Sequence, residues 1–335
     1  MRLNVLMIAA QDFNMVSLKD IARELGVSVG TVSMALRDSP RISEETARRV
    51  KFLARELGYI PNNFGRGLRS GRSALIGCLI SSLQSSFMAT IVEAIGARAA
   101  ERQYSVLAAW LDGRREKMLQ DQLELMLSKN IDGLVITNPV LARHPALLAR
   151  LNRAGVPFIF CSYHCGDQGY PFVVTDDEAG GRLAARHLLD NGHRTILCEF
   201  SHSVDRRLKG NLAEINRWPD AKSCVFYDLE ELPVLIAEQR ATAVISYSDM
   251  QAIDTIYLLR QRGIRVPEDV SVIGYDDLDL AARPEFNLTT VAQQRRQLGV
   301  AAVDYIFERL AGNTPPGEIL LPPSLVERGT VRRLS

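Results

Sequence analysis

Cys161, His164 and Cys165 form a C-x2-H-C cluster, the spacing at which a metal is first suspected. A tetrahedral zinc site needs four N, S or O ligands. No partner pair stands at such spacing, so a strand cysteine followed by a loop is expected, and no metal. The other cysteines, 78, 198 and 224, bring the count to an odd five with no CxxC pair. That argues against a disulfide framework and for a reducing cytoplasm. No Walker loop occurs. Gly65-Arg66-Gly67 meets its next glycine only at 71, which breaks the GxGxxG spacing. His187 and His193 fall on a helix and at its Asn191-Gly192-His193 stop, where a cation would complement the helix dipole. Neither enzyme activity nor a cofactor is expected. The remaining chemistry is that of binding, with hydroxyls at helix starts and carboxylates at strand ends.

The hydroxyls are placed by an N-terminal helical module. Ser17-Leu18-Lys19-Asp20 fits a capping box, and Leu18, Ile21, Ala22 and Leu25 make one apolar helical stripe. Gly26 supplies the left-handed stop. Ser28 then caps a second helix, Val29 to Arg37. A third helix starts at Ser43, shows Ala47, Val50, Leu53, Ala54 and Leu57 on its apolar face, and stops at Gly58. Two short helices about a glycine turn are a helix-turn-helix. Over residues 1–73, twelve Lys and Arg face seven Asp and Glu, a net +5, and the rest of the chain carries −4. A basic module of this kind suits a polyanion.

The run LKDIARELGVSVGTVSMALRDSPRISEETARRV, followed by GYIPN and LRSGRSALIG, resembles the LacI/GalR family of bacterial transcription regulators. Further segments in the family's order are IDGLVIT, DDEAGGRLAARHLLDNGHR, RGIRVPEDVSVIGYDD, LTTV and LLPPSLVERGT. The resemblance implies that the second helix enters the major groove of DNA, with Val29, Gly30 and Met34 as base readers. Those side chains permit contact with thymine methyls and readout of shape, but no bidentate hydrogen bonding. By the same resemblance Ser17, Ser28, Thr31, Ser33, Ser43 and Thr46 contact phosphates, although each serine equally serves as a helix cap. Residues 61–73, PNNFGRGLRSGRS, read as a flexible basic linker. In the family this segment folds into a hinge helix on the operator, so Asn62, Leu68 and Arg69 would meet the minor groove, Leu68 as an apolar wedge. Arg66 and Arg72 would add contacts to nearby phosphates or the groove.

From residue 74 short apolar strands alternate with amphipathic helices, which implies an α/β core with parallel sheets. Strands are expected at 74–80, 104–110, 133–137, 156–161, 195–200, 243–246 and 270–275. Helices are expected at 87–102, 115–129, 178–190 and 249–262. The resemblance implies a two-lobed periplasmic-binding-protein-like core. Lobe 1 takes 74–175 and 292–317, and lobe 2 takes 176–291 and 318–331, with crossings near 175, 291 and 317. Ligands bind at the carboxyl ends of such strands. The implied effector residues are Ser85, Phe87, Thr137, Asp176, Asp177, Asp205, Ser248, Asp249 and Asp276. Asp205 stands where relatives carry a ligand-binding arginine, and 210–224 is shorter than the family leads one to expect. An acidic cleft without that arginine disfavours phosphates and carboxylates and suits a sugar or polyol, and also a cationic ligand. Arg206 and Arg207 follow directly, so a shift of register would undo this inference. Asp249 is equally explained as part of a helix cap, and Asp276-Asp277 as capping the turn after a strand.

With 335 residues, 47% of them hydrophobic and 24% charged, the chain is long enough for a large core. No apolar run approaches the ~20 residues of a membrane span. Residues 1–14 make a poor signal peptide and read as an extra arm or a start upstream of Met15. The expected division is 15–61 for the DNA-binding module, 62–73 for the hinge and 74–335 for the effector-binding and dimerisation core. The tail after Glu327 has no heptads, so the expectation is a cytoplasmic homodimer rather than a tetramer. The function implied is an operator-binding regulator gated by a small molecule, repression being the usual outcome in the family. A regulator without effector, or answering to a protein partner, is the alternative. A solute-binding protein is the remote one.

Overall fold

The computed structural model describes residues 16–59, 72–110, 116–165, 168–200 and 206–334. The chain separates into two units, 1–71 and 72–335. In the first, helices α1 (Leu18–Leu25), α2 (Val29–Ala35) and α3 (Glu44–Glu56) follow the local signals. Ser17 closes a capping box with Asp20, whose carboxylate accepts the Ser17 N–H at 3.0 Å. Ser28 Oγ accepts from the Thr31 N–H at 3.0 Å and Ser43 Oγ from the Thr46 N–H at 3.3 Å. Gly26 takes φ +66°, the left-handed conformation in which a Cβ would be strained. Ile21, Ala22, Val32, Ala35, Val50 and Ala54 are buried together as the core of this small unit.

The second unit contains two six-stranded sheets. β1 (Leu75–Ile80), β2 (Ser105–Trp110), β3 (Gly133–Ile136), β4 (Phe158–Cys161), β5 (Phe172–Thr175) and β11 (Glu318–Leu321) form the first, in the order β11-β5-β4-β3-β1-β2. β6 (Thr195–Glu199), β7 (Lys222–Phe226), β8 (Ala243–Ile245), β9 (Ser271–Asp276), β10 (Thr290–Ala292) and β12 (Ser324–Val326) form the second, in the order β12-β10-β9-β8-β6-β7. Every pairing in the first sheet is parallel. In the second, β12 runs antiparallel to β10. Helices α4 (Ser86–Glu101), α5 (Glu116–Ser128), α6 (Pro145–Arg153) and α11 (Arg295–Leu310) belong to the first lobe. Helices α7 (Asp177–Asp190), α8 (Arg206–Ile215), α9 (Leu232–Gln239) and α10 (Asp249–Gln261) belong to the second. Each sheet is apolar on both faces and has a core cluster on either side, as parallel sheets covered by helices require.

Two expectations are corrected. Residues 318–321 lie in the first lobe, not the second, because β11 pairs with β5 from Glu318↔Phe172 to Leu321↔Thr175. The third crossing therefore falls at Pro322-Pro323 rather than near 317. His193 is not a cation at a helix end. It is buried, with Nδ1 2.9 Å from Thr242 Oγ1 and Nε2 3.0 Å from the Arg332 carbonyl, and burial pushes its pKa down to about 4. Cys161 lies in β4 with its thiol 3.6 Å from the Leu298 carbonyl, and His164 lies 4.4 Å from the Phe172 ring. Among the described residues no group of three metal-type ligands converges, and no helix is long and apolar enough to cross a membrane.

Candidate functional site

Two surfaces hold the candidate binding residues. On the small unit, α2 turns Val32 and Ala35 inward, so Val29 and Gly30 stand exposed at its first turn, Val29 at 41%. Ser33 and Met34 are half-buried one turn on. A Cβ added to Gly30 would meet nothing closer than Ser28 Oγ at 3.5 Å, so its bareness is not imposed by packing. Arg37, which sequence reasoning passed over, lies in the turn two residues past α2 and folds its guanidinium back onto Ser33, donating to the carbonyl at 2.8 Å and to Oγ at 3.0 Å. Ser28 and Ser43 also bond the side chains of Thr31 and Thr46, each at 2.9 Å. Asn62, Leu68 and Arg69 lie outside the described residues.

The second surface lies at the carboxyl ends of the core strands. Its centre is Arg207, at the start of α8. The guanidinium donates from Nε to Asp177 at 3.0 Å and from an Nη to the Tyr247 carbonyl at 2.8 Å. It lies 3.8 Å from Asp276 Oδ1, with its carbon 3.8 Å from the Tyr275 ring centre and 4.6 Å from that of Tyr247. Burial alone would lower its pKa, but Asp177 and Asp276 keep it above the ordinary arginine value. Asp276 in turn accepts from Gln293 Nε2 at 2.6 Å, and Gln293 Oε1 accepts from the Thr175 hydroxyl at 2.7 Å. Burial raises the Asp276 carboxyl to about 6, against the pull of Arg207. Asp276 and Asp277 both take positive φ, +120° and +53°. Such strain persists only where surrounding bonds over-determine it. Here Arg328 holds the Asp277 carboxylate at 2.6 Å and Arg295 its carbonyl at 2.8 Å.

Arg207 reaches this position because α7 and α8 cross at glycine contact. A Cβ on Gly181 would stand 2.1 Å from the Arg207 carbonyl, and one on Gly210 would stand 2.1 Å from the Glu178 carbonyl. Gly181→Ala must therefore push α8 off α7. We expect a loss of about 1–3 kcal/mol, typical of overpacking, measured by thermal denaturation. An unchanged melting temperature would mean that the crossing has slack.

The remaining sequence-derived residues are distributed unevenly. Asp177 and Asp276 meet at Arg207. Asp176 caps α7, accepting from the Ala179 N–H at 2.9 Å. Thr137 is buried and donates to the Leu79 carbonyl at 3.1 Å. Ser85 precedes α4 without a side-chain capping bond, and Phe87 packs half-buried on the core. Ser248 caps α10. Asp249 is withdrawn from any ligand. It is fully buried, accepting from the Leu278 N–H at 2.7 Å and the Thr290 hydroxyl at 2.5 Å, and burial raises it to about 7. Asp205 lies outside the described residues. The inference drawn from it, a cleft with no arginine, is overturned by Arg207 two positions on. An aromatic pair was also missed. Phe200 and Tyr227 stack edge-on at 5.0 Å after β6 and β7, with Tyr227 72% exposed. Isolated aromatics at strand ends carry no periodic signal by which sequence reading could have found them.

Residues 17–62 match the family model of bacterial regulatory proteins of the lacI family. Residues 73–214 match the periplasmic binding proteins and sugar binding domain of that family, and 185–331 a periplasmic binding protein-like domain. The chain is 30% identical to the HTH-type transcriptional repressor PurR of Photobacterium profundum, over 96% of this chain and all of the relative. Among solved structures, it is similar to the Lac repressor dimer bound to operator and the anti-inducer ONPF, with a TM-score of 0.85, 28% identity, and coverage of 95% of this chain and 99% of that one. A CelR–cellobiose complex matches with a TM-score of 0.66 and 25% identity, over 94% and 99% of the two chains.

Proposed function

Because the chain belongs to the lacI family of bacterial regulatory proteins, DNA-binding transcriptional repressors rather than enzymes, we propose that it binds its operator as a cytoplasmic homodimer and releases or tightens on it in response to a sugar or polyol held between the lobes. The observation that carries the effector class is the Asp177–Arg207–Asp276 cluster. One guanidinium sits between two carboxylates, so with both ionised the cluster is net negative and its cation is already engaged. A phosphate or carboxylate ligand would meet repulsion and no free fork. Carboxylates accept hydroxyl hydrogen bonds, and the faces of Tyr227 and Phe200 suit the apolar face of a sugar ring. The cellobiose held by the CelR neighbour points the same way.

On DNA, α2 enters the major groove with Val29, Gly30 and Met34 at base edges. The hydroxyls of Ser17, Ser28, Thr31, Ser33, Ser43 and Thr46 lie toward phosphates, and Leu68, with Asn62 and Arg69, at the minor groove. A dimer presents two such helices to two half-sites, and the Lac repressor neighbour on its operator is a dimer. Lobe closure is the hinge motion that would respace the two linkers.

The test is binding of the full chain to DNA upstream of its own gene, titrated with salt, with and without a panel of sugars and polyols. One compound that changes operator affinity, and binds reciprocally less or more tightly when DNA is present, supports the reading. Tight, salt-dependent binding that no compound alters would favour a protein partner as the signal instead.

A further inference from the structure

The two ends of α11 touch the two places that an effector-gated repressor must connect. At its start, Gln293 bonds both Thr175 and Asp276, Gln294 Nε2 donates to the Pro322 carbonyl at 2.8 Å, and Arg295 donates to the Asp277 carbonyl. These residues stand at all three crossings between the lobes. The helix then runs 16 residues, about 24 Å at 1.5 Å per residue. Its last turns meet the root of the segment that leads to the DNA-binding unit. Arg72 donates to the Leu310 carbonyl. Ile306 seats on Gly133, where a Cβ would stand 2.3 Å from its Cγ2. Phe307 packs edge-on against Tyr104 at 5.0 Å, and the Tyr104 hydroxyl sits against Arg72 and Asp132. The Asp132 carboxylate takes the Ser73 and Ala74 N–H groups, each at 2.9 Å, and so fixes the direction in which the chain enters β1.

The helix is also clamped along its length. A Cβ on Gly299 would stand 2.5 Å from the Ile91 carbonyl of α4, so the two helices lie at backbone contact. Packed helices at such contact slide or tilt as one body rather than deform.

We propose that α11 is the rod that carries the state of the interlobe crossings to the linker root. Gln293 is its input, and the Arg72–Leu310 and Asp132–Ser73/Ala74 bonds are its output. A change in the bonding of Asp276 shifts Gln293 and the start of α11. The far end then loosens or tightens the clamp on residues 72–74, where the path to the DNA-binding unit begins. This rests on reading the cleft as the effector site, but the test uses no ligand, so its failure is distinguishable from failure of that reading.

The test is amide hydrogen exchange on the full-length chain bearing Gln293→Leu, with Gln293→Glu as the size-conserving second variant. Ile256→Val, in α10 of the other lobe, is the control for general destabilisation. Exchange at Ser73, Ala74 and Leu75 is expected to run at least fivefold faster in the Gln293 variants than in the control. A smaller difference, or equal acceleration by Ile256→Val, overturns the proposal.

Discussion

Val29→Glu is expected to leave the protein folded and to abolish most of its specific binding. The side chain is 41% exposed at the first position of α2 and lies outside the apolar cluster of the small unit. A carboxylate in the first turn of a helix interacts favourably with the macrodipole, so the melting temperature should hold or rise slightly. On DNA the same carboxylate would face base-edge acceptors and phosphates without water. A mismatched base contact costs about 1–3 kcal/mol. Two copies in the proposed dimer therefore give about 2–6 kcal/mol, roughly 30-fold to 20,000-fold in affinity. Fluorescence anisotropy at fixed salt measures it. Because no phosphate contact is removed, the dependence of log affinity on log salt should keep its slope. Unchanged affinity with an unchanged melting curve would take Val29 out of the groove.

Arg207→Ala is expected to be the most damaging single truncation in the core. It leaves Asp177 and Asp276 facing each other without their shared cation, and removing one partner of a buried ion pair costs about 3–5 kcal/mol. For a unit of this size that is a fall of roughly 6–20 °C in melting temperature. The deficit has a definite pH dependence. The folded value for Asp276 is about 6, raised by burial above 3.8 while Arg207 pulls it down. A carboxyl raised on folding contributes stability that is full below its unfolded value and is lost as pH rises through the folded one. Without Arg207 the folded value climbs further, so the variant loses more between pH 5 and 8 than the wild type does. The buried His193 works in the opposite direction. Its folded value of about 4 lies below 6.5, so its stabilising contribution is present above 6.5 and lost on the acid side. It is common to both proteins and cancels in the difference. The gap in melting temperature should therefore widen from pH 5 to pH 8. A constant gap would mean that Arg207 is not the counter-ion of Asp276. A sugar that stabilises the wild type should no longer stabilise the variant.

By itself the sequence determined the helical unit and the alternation of the core, because both are written in short-range patterns. Ser17, Ser28 and Ser43 bond backbone three residues away, and Gly26 turns the chain at its own position. The strands that were recognised are those whose apolar runs are bounded by turn residues. β5, β7, β10, β11 and β12, three to five residues each, passed unnoticed. Glu318–Leu321 joins the first lobe only through pairing with Phe172–Thr175, a partner far along the chain that no local periodicity reveals. Only the tertiary structure decided which charged groups are available for binding. Asp249 is withdrawn by Leu278, 29 residues on, and Thr290, 41 residues on. Of the adjacent arginines 206 and 207, the glycine crossing of α7 and α8 sets Arg207 between two carboxylates. Local pattern records which face of an element is apolar. The field at a carboxylate or guanidinium depends on the neighbours that long-range packing brings within a few ångströms, and packing assembled those neighbours from helices and crossings scattered between Thr175 and Gln293.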